Sequence, residues 1–504
     1  MGSAFTGIYT ATSGLYANQT ALNTTSHNIS NAETSGYVRQ QAMYVDKAYI
    51  SSVGTGTKID EIRQIRSIFL DNMYRKEESS LSYWQVRQST AEDIQAVMND
   101  LDNDGTMQDA IDGFFNAWDE LSKDPTSGST RASLVEYANS FVDKVNQLED
   151  QMDQIQENLD SQVKSMVSDI NNISGQIADL NQKIVALEVN GDNANDYRDE
   201  ANSLLDTLSA YVDISVSLDS SGRYDVSIGG VSLVNGNDTN TLISDTYTSN
   251  GSFNTVTWDS GMKLNLNGGM LLGLIESRGD VVSTDGSTSN GSPSETGTTE
   301  SEVDSDAALS SFDFTGDSEN MIPELRKGLN ILVNLLTRKV NAIHSTGEGL
   351  DGSTGIDFFV KIDDSLPFEA GNIQVNPELD DTNKIAASSI GGSDDGTIAS
   401  QIYDFSEKDY FQKDGIKMNI DEYYSNLVEW VGTQGDEAET SATNQDTLVQ
   451  EVTSKKDSLS AVSLDEELSN LVRYQNAYNA SARLMNVVDG MIGTLIQSTG
   501  VVGR

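Results

Sequence analysis

Apolar residues recur at a strict interval of seven at both ends of the chain. At the start they are Ile8, Leu15, Leu22 and Ile29, with small and polar residues between them. At the end they are Leu464, Leu471, Tyr478, Met485 and Ile492. A seven-residue spacing keeps side chains on one seam of a slightly supercoiled helix. The pattern therefore predicts a helix at each end, with one narrow apolar seam along it.

A seam one residue wide buries little apolar area by itself, so each terminal helix should need a partner helix. The simplest arrangement pairs the two ends as a coiled-coil domain of residues 1–60 with 461–504, and the rest of the chain is one insertion between them. The nine seam residues are then the candidate assembly interface, both with each other and with neighbouring copies. An alternative stays open for the N-terminal helix, in which it covers the core of its own domain.

Helical periodicity fills most of the middle of the chain. Residues 61–118 predict helices, Pro323 opens a helical run that ends near His344, and a last stretch covers 421–452. The strongest pattern runs from Leu134 to Leu187, where apolar steps of four and three continue across a one-residue slip after Leu159. At 1.5 Å per residue, this helix is a rod of roughly 80 Å. Residues 61–210 with 321–460 therefore predict a helical, rod-like domain.

A β-rich segment interrupts the helices. The stretch ISVSLDSSGRYDVSIGGVSLV alternates apolar and polar residues around a Ser-Gly turn, which predicts a hairpin, and further short strands are expected to about Leu274. Residues 281–320 hold nine acids and no base, which predicts a solvated loop. Short strands are also expected around IDFFVKI and NIQVNP. The expected fold is mainly α, with residues 211–320 as a β-rich acidic outer insertion.

The charge of the chain is confined to its middle. The 504 residues carry 31 basic and 78 acidic side chains, a net charge of −47. Residues 1–50 are neutral, with two acids and two bases, and residues 461–504 carry four acids against three bases. An acidic body repels nucleic acid and anionic membranes, so neither is an expected partner. Neutral ends suit burial in an assembly.

The sequence holds few of the groups that catalysis or metal binding requires. Without cysteine, and with only His27 and His344, it cannot form a Cys/His zinc site or use a thiol nucleophile. Asp100, Asp102 and Asp104 resemble the start of a calcium loop, but Ile111 stands where the bidentate Glu is required. The glycines of VGTGTK lack the rest of a nucleotide-binding motif, and no GxSxG context supports a Ser/His/Asp triad. We therefore expect no enzyme, no metal and no cofactor.

Two long segments resemble a known family. ANQTALNTTSHNISNAETSGYVRQ is similar to the N-terminal signature of bacterial flagellar rod, hook and hook-associated proteins, and VSLDEELSNLVRYQNAYNASARLMNVVDGMIGTLI is similar to their C-terminal signature. DGFFNAWDELSKDPTSGSTR, DYRDEANSLLDTLSAYVDISV and the helix from Pro323 resemble the members that have a helical middle.

The resemblance implies a structural protein of the flagellum. Such proteins are exported through the flagellar type III channel without a cleaved signal and assemble as a ring at the distal end of the hook, which they join to the filament. The implied partners are copies of itself, the flagellar hook protein, a second junction protein (hook-associated protein 3) and a cytoplasmic export chaperone. The narrow terminal seams should be disordered in the free subunit and fold as neighbours dock.

Other structural classes remain as alternatives. A hook or distal rod subunit would share the two ends but lack the long helical rod. A secreted coiled-coil adhesin would also be acidic and helical, but it should carry a signal peptide, and the start of this chain has no base before Arg39 and no continuous apolar core. A phage-tail-like structural protein would share the assembly logic.

Overall fold

The computed structural model describes residues 2–47, 56–98, 105–189, 191–246, 253–279, 313–314, 320–389, 392 and 395–499. These residues are mostly helical, and their strands form six small sheets. The expectation of a mainly α protein with a β-rich segment is confirmed at this level. Asp100, Asp102 and Asp104, the first three residues of VGTGTK and nearly all of the acidic stretch 281–320 lie outside the described residues.

Ten α-helices lie within the described residues. In chain order they are α1 (Gly2–Ser30), α2 (Ile68–Met98), α3 (Met107–Lys123), α4 (Gly128–Glu188), α5 (Asn195–Tyr211), α6 (Met270–Arg278), α7 (Met321–His344), α8 (Thr397–Ser406), α9 (Ile420–Ser460) and α10 (Leu464–Thr499).

The strands are short. They are β1 (Gln40–Asp46), β2 (Thr57–Gln64), β3 (Ile214–Leu218), β4 (Tyr224–Ile228), β5 (Val231–Asn235), β6 (Asp238–Thr239), β7 (Leu242–Thr246), β8 (Asn254–Trp258), β9 (Asp313–Phe314), β10 (Gly347–Glu348), β11 (Phe359–Val360), β12 (Gln374–Val375), β13 (Ser388–Ser389), β14 (Phe411–Lys413) and β15 (Ile416–Met418). The main sheet has the order β3-β4-β5-β6, and β1 pairs antiparallel with β2.

The long helix α4 organises the middle of the molecule. Its 61 residues give a rod of about 90 Å at 1.5 Å per residue. The predicted apolar row supplies its buried face, and both Leu159 and Val163 are buried, so the helix continues across the one-residue slip. The Oγ of Ser127 accepts from the backbone N–H of Thr130 and caps its start. The prediction of a helical rod over 134–187 is confirmed.

The core of the helical body lies where α3, α4 and α7 meet. Phe114 and Phe141 stack with ring centroids 5.8 Å apart, and Trp118 packs against Phe358 at 5.1 Å. The helix α7, which Pro323 was expected to open, is buried along nearly all of its length. Its buried polar residues bond the backbone of the segment that follows it: Asn341 Nδ2, for example, donates to the Phe359 carbonyl of β11 at 2.8 Å. Because both faces of this helix are buried, apolar residues occur at many of its positions rather than along one face only.

The prediction of helix from residue 61 is wrong, because this region begins with the strand β2. Met43 pairs with Glu61 and Tyr44 with Ile59 across a bulge, and helix α2 begins only at Ile68. Ile59, Ile62 and Ile65 are three residues apart, and that spacing imitates a helix although the strand carries two of them. The terminal segment therefore includes a β-hairpin, β1–β2, that the sequence did not predict.

The β-rich segment is confirmed as far as the structure describes it. Ile214 pairs with Ile228 and Leu218 with Tyr224 in the expected hairpin. The strands expected as far as Leu274 end at β8, however, and Met270–Leu274 belongs to α6 rather than to a strand. Gly269, which has a φ of +90°, precedes this helix, and a Cβ there would lie 2.5 Å from the Tyr211 carbonyl oxygen. Only glycine allows this close return to the end of α5.

Three chain segments cross side by side between the terminal helices and the helical body. The backbone N–H of Arg39 donates to the Ser460 carbonyl at 2.9 Å, and the Arg39 carbonyl accepts from the Ile65 N–H at 2.9 Å. We call this crossing the neck. Along the chain, the hairpin lies between the first and second of these segments, and the helical body lies between the second and third. The proposed domain boundaries remain predictions.

Candidate assembly interface

The first and last helices pack side by side and run antiparallel. Three close contacts between the two helices define a single register. A Cβ added at Gly7 would lie 3.2 Å from a methyl of Val488, and a Cβ at Gly14 would lie 2.9 Å from the Ser481 Oγ. Further along, Asn28 Nδ2 donates to Glu467 Oε2 at 3.2 Å. The two ends of the chain therefore meet over nearly the whole of α1.

Small residues, rather than the predicted apolar seam, form the line of closest approach. Ala11, Ala17 and Ala21 are buried beside Gly7 and Gly14. Small side chains let two helix backbones come close together, which gains dispersion contacts along the whole line.

The predicted seam residues lie beside this line. On α1, Ile8, Leu15, Leu22 and Ile29 are each half-buried, and on α10, Leu471, Tyr478, Met485 and Ile492 are also half-buried. Leu464 is 45% exposed. These nine residues therefore lie along the helix pair, and part of the apolar surface of each one remains exposed. Their role as an assembly interface remains a prediction, as does a supercoiled geometry of the pair.

The hairpin covers one flank of α1. The backbone N–H of Thr57 donates to the Ser13 Oγ at 3.3 Å. Two positions before Asp46, the residue of β1 that pairs with Thr57, the Tyr44 ring stacks on Tyr474 of α10 with centroids 6.1 Å apart. Its hydroxyl donates to Asn18 Oδ1 at 3.2 Å, and burial raises the pKa of Tyr44 to about 12. The hairpin therefore holds both helices of the pair.

A buried polar cluster joins α1, the hairpin and α10, and Asn28 is at its centre. Only 1% of Asn28 is exposed. Its Oδ1 accepts from the Gln40 N–H at 3.0 Å and from the Tyr37 hydroxyl at 2.8 Å. Its Nδ2 donates to the Gln40 carbonyl at 2.8 Å, in addition to Glu467. All the hydrogen-bonding groups of this amide are satisfied, as a buried side chain requires.

Glu467 completes the polar cluster from α10. It is 2% exposed, and its Oε1 accepts from Arg39 Nε at 3.0 Å. Arg39 also pairs with the exposed Glu466 at 2.7 Å. A buried carboxylate is tolerated only with such partners, so removing Arg39 would leave Glu467 as an uncompensated buried charge. This cluster fixes the start of α10 against the neck.

A second group of hydrogen bonds joins the hairpin to α5. Asp199 accepts from the Val38 N–H at 3.2 Å and from Gln64 Nε2 at 2.7 Å, and Gln40 Nε2 donates to Asp196 Oδ1 at 3.0 Å. Burial raises the pKa of Asp199 to about 7. The segment DYRDEAN, which begins at Asp196, thus positions the terminal helices relative to the helical body.

Sequence reasoning missed this polar cluster. Asn28 and Glu467 are 439 positions apart, and a lone polar residue on a helix usually faces solvent. One signal was present, because the run NTTSHNISN is unusually polar and uncharged for a helix that carries an apolar seam. Gly7 and Gly14, one heptad apart, were a second signal of close helix packing.

The residues considered for chemistry have structural partners. His27 Nδ1 lies 3.0 Å from the Tyr37 hydroxyl. Asp109, which follows the aspartates that resemble a calcium loop, forms a capping box with Thr106 at the start of α3. His344 is fully buried, its Nδ1 lies 2.7 Å from the Ile356 carbonyl, and burial lowers its pKa to about 4. Across the described ranges, no group of three or more histidines and carboxylates is placed to hold a metal ion. None of the described helices has the length and apolar character that a bilayer span requires.

Three family models match the chain. A model of a flagella basal body rod protein matches residues 8–37, and the C-terminal model of the flagellar basal body rod FlgEFG proteins matches residues 457–498. These two segments contain most of α1 and α10. The helical-domain model of flagellar hook-associated protein FlgK matches residues 91–359, which is more than half of the chain.

Whole-chain relatives agree with the models. Flagellar hook-associated protein 1 of Bacillus subtilis (strain 168) is 28% identical, with 100% of both chains covered. Flagellar hook-associated protein 1 of Escherichia coli (strain K12) is 23% identical, with 97% of this chain and 99% of the relative covered. The structure of the flagellar hook junction protein FlgK from Burkholderia pseudomallei shares the fold, with a TM-score of 0.57 and 13% identity over 78% of this chain and 100% of that one.

The two ends of the chain match flagellar rod-type models, form a helix pair and precede and follow a helical middle. This combination defines a structural protein of the bacterial flagellum. The matched middle specifies it further: the chain belongs to the family of the flagellar hook-associated protein FlgK. The resemblance of the two ends to flagellar rod, hook and hook-associated proteins is therefore confirmed. Because this family is structural, the expectation that the chain is not an enzyme is also confirmed.

Proposed function

We propose that this protein assembles as a ring at the distal end of the hook and joins the hook to the filament. The observation that carries the proposal is the antiparallel pair α1–α10, whose apolar seam residues remain half-exposed in a single chain. Helix α1 contains no Asp, Glu, Lys or Arg in 29 residues. Protein interfaces are depleted of charge at their centres, so this pair is suited to burial among neighbouring copies.

The partners follow from that position. Below the ring lies the flagellar hook protein, and above it a second junction protein, hook-associated protein 3. The subunit reaches this extracellular site through the flagellar type III export channel, and a cytoplasmic chaperone binds its C-terminal region before export. Exposed aliphatic residues on α10, including Leu468 at 52% and Val472 at 54%, support a need for such protection.

A hook or distal rod subunit is the rival assignment. The rod-type models cover only the two ends, whereas the body between them matches the FlgK helical domain. This difference favours the junction over the rod or the hook. No such observation favours an adhesin or a phage-tail protein.

Leu15→Asp tests the proposal in cells of the source bacterium whose own copy has been deleted. The variant should be made and exported but should not restore filaments, because the added carboxylate would be buried where copies meet. Attached filaments per cell are counted by electron microscopy, and the purified variant is checked for an unchanged helical body by circular dichroism. Asn23→Asp adds the same charge at an exposed position of the same helix and should restore filaments. Normal filaments in Leu15→Asp cells would refute the assembly role of this seam, and hooks that keep their filaments when the protein is absent would refute the function.

A further inference from the structure

His344, the last residue of α7, is bonded through both nitrogens of its ring to the backbone of two other segments. The side chain is fully buried, its Nδ1 lies 2.7 Å from the Ile356 carbonyl, and its Nε2 accepts from the Ala386 N–H at 2.9 Å. A carbonyl oxygen only accepts and a backbone N–H only donates, so Nδ1 carries the hydrogen and Nε2 carries none. These contacts therefore specify the neutral ring in a single tautomer.

Ala386 belongs to a short segment, residues 385–389, that we call the strap. Its last two residues form β13, which pairs with β10 directly after α7. The Ala387 carbonyl accepts from the Ile398 N–H at 3.1 Å, at the start of α8. Helix α8 in turn places Phe405 against Phe115 of α3, with ring centroids 6.0 Å apart. The strap therefore joins α7 to α8 and holds α8 over the core of the helical body.

A protonated His344 ring cannot keep this arrangement. A hydrogen on Nε2 would point at the Ala386 N–H, so two donors would face each other and the hydrogen bond would be lost. Arg131 of α4 donates to the Ile385 carbonyl at 2.7 Å, at the other end of the same peptide group. The charge of a protonated ring would therefore lie near a second positive charge.

The side chains packed around the ring are mainly aromatic or apolar. Helix α3 contributes Trp118, with ring centroids 6.1 Å apart, and the segment before β11 contributes Phe358 at 5.4 Å. Ile385 of the strap is apolar and fully buried. Among the described residues, Arg131 is the charged side chain that acts on the ring. Burial, with a smaller contribution from Arg131, lowers the pKa of His344 to about 4.

We propose that His344 is an acid-sensitive latch, which closes the strap and α8 over the core while its ring is neutral and releases them when the ring takes up a proton from solvent. This inference does not depend on the proposed function. Opening would separate Phe405 from Phe115 and expose apolar surface that is buried at neutral pH. A mildly acidic medium would therefore change the surface that the helical body presents.

The size of the effect follows from the two protonation equilibria of the ring. In the open state the ring is solvated and has its ordinary pKa near 6.5, whereas in the closed state its pKa is about 4. The open state thus binds the proton more tightly, so closure is fully favoured above pH 6.5 and opening becomes easier as the pH falls toward 4. Between pH 7.5 and pH 5.0 the open fraction should rise about 25-fold.

Hydrogen exchange, followed by mass spectrometry on the purified full chain, tests the latch. The exchange rates of peptides that cover the strap and the start of α8 are divided by the intrinsic rate at each pH, which leaves the open fraction. We expect this corrected rate to rise about 25-fold from pH 7.5 to pH 5.0. Peptides from 163–184 of α4 should show no rise.

Other titrating groups do not imitate the expected rise. Hydrogen bonds from Ser389, with others from Thr397, lower the pKa of Asp395 to about 2, so this contact of the strap stays charged throughout the range. Burial raises the pKa of Glu149 and of Asp199 to about 7. Protonation of these two groups stabilises the folded state as the pH falls, which is the opposite sign.

Two histidine variants assign the effect, because His27 and His344 are the histidines of the chain. His344→Gln keeps an amide that can donate and accept but cannot be protonated in this range, and it should show no rise. His27→Gln is the matched control and should keep the full rise. A flat corrected rate in the wild type, a rise that persists in His344→Gln, or a rise that is lost in His27→Gln would overturn the proposal.

The state of the ring is measured directly by NMR of the protein labelled with ¹⁵N in its histidine rings, and His27→Gln assigns the two sets of signals. We expect a neutral His344 ring with its hydrogen on Nδ1 at both pH 7.5 and pH 5.0. A protonated ring, or a hydrogen on Nε2, at either pH would overturn the latch. If His344→Gln does not fold, these signals and the exchange rates of the wild type and His27→Gln decide.

Discussion

Arg131 is a buried cation whose replacement should destabilise the helical body by a predictable amount. The side chain is fully buried, and burial lowers its pKa. Its guanidinium donates to the Pro125 carbonyl at 2.8 and 2.7 Å, to Ile385 at 2.7 Å and to Thr382 at 3.1 Å. It thereby joins the start of α4 to the segment after β12. The informative change is Arg131→Met, which keeps the stem and removes every donor.

The expected loss is about 3 kcal/mol. The buried carbonyls of Pro125 and Ile385 lose their partner, and the partly buried carbonyl of Thr382 keeps only the Ile385 N–H at 3.4 Å. Each of the three losses costs roughly 1 kcal/mol after the guanidinium's own desolvation is recovered. For a cooperative unit of 150–250 residues, that loss lowers the midpoint of thermal unfolding by roughly 6–12 °C. Arg131→Lys should not rescue it, because a single ammonium cannot reach three carbonyls in the geometry of a planar fork.

Differential scanning calorimetry on the purified full chain measures this midpoint. Lys164→Met, at an exposed position of the same helix, is the matched control and should leave it unchanged. A midpoint for Arg131→Met within a degree of the wild type would refute the reasoning, as would full rescue by lysine.

Three further predictions concern the terminal helices and their junction with the body. Limited proteolysis of the purified monomer should leave a stable core near residues 60–455 and remove both ends rapidly, as mass spectrometry of the fragments would show; protection of the ends in dilute solution would contradict the expectation that they fold on docking. Asn28→Ala should reduce attached filaments strongly, because it leaves the Gln40 N–H and carbonyl without their partner and removes one donor from Glu467; Asn23→Ala should not, and equal filament counts for the two variants would exclude an assembly role for the polar cluster. Burial raises the pKa of Asp199 to about 7, so the folded state binds the proton of this carboxyl more tightly than the unfolded state does. Protonation of Asp199 therefore stabilises the folded state at low pH, and this stabilisation is lost as the pH rises through 7. Asp199→Asn should therefore gain up to about 2 kcal/mol over the wild type between pH 5.5 and pH 8, measured by urea unfolding at both values; a constant difference would show that Asp199 is charged throughout.

The elements predicted well are those whose sequence period matches their burial. The row from Leu134 to Leu187 identified α4, because one side of a long helix must carry its apolar residues every three or four positions. The hairpin β3–β4 followed from alternation around a turn. β2 was missed because Ile59, Ile62 and Ile65 imitate a helical spacing, and pairing with β1 decides the conformation. The local pattern of apolar and polar residues carries no information about a partner strand more than ten residues away.

The candidate interface was predicted only in part for a related reason. The heptads of both ends were visible, but the line of closest approach is made by Gly7 and Gly14, which contribute no apolar signal. The cluster around Asn28 depends on which polar groups meet after folding, and only the assembled neck brings Arg39 and Glu467 beside it. Hydrophobic periodicity identifies surfaces that must be buried, whereas it carries no information about buried polar partners.

The neck at Arg39, Ile65 and Ser460 has a consequence for how such subunits can diversify. Everything between residues 66 and 459 leaves and returns through this single crossing. Residues that do not contact the terminal segment can therefore be added to or lost from this part of the chain without altering the α1–α10 pair. In the proposed ring, such changes would alter the outer body of each subunit and leave the proposed assembly interface unchanged.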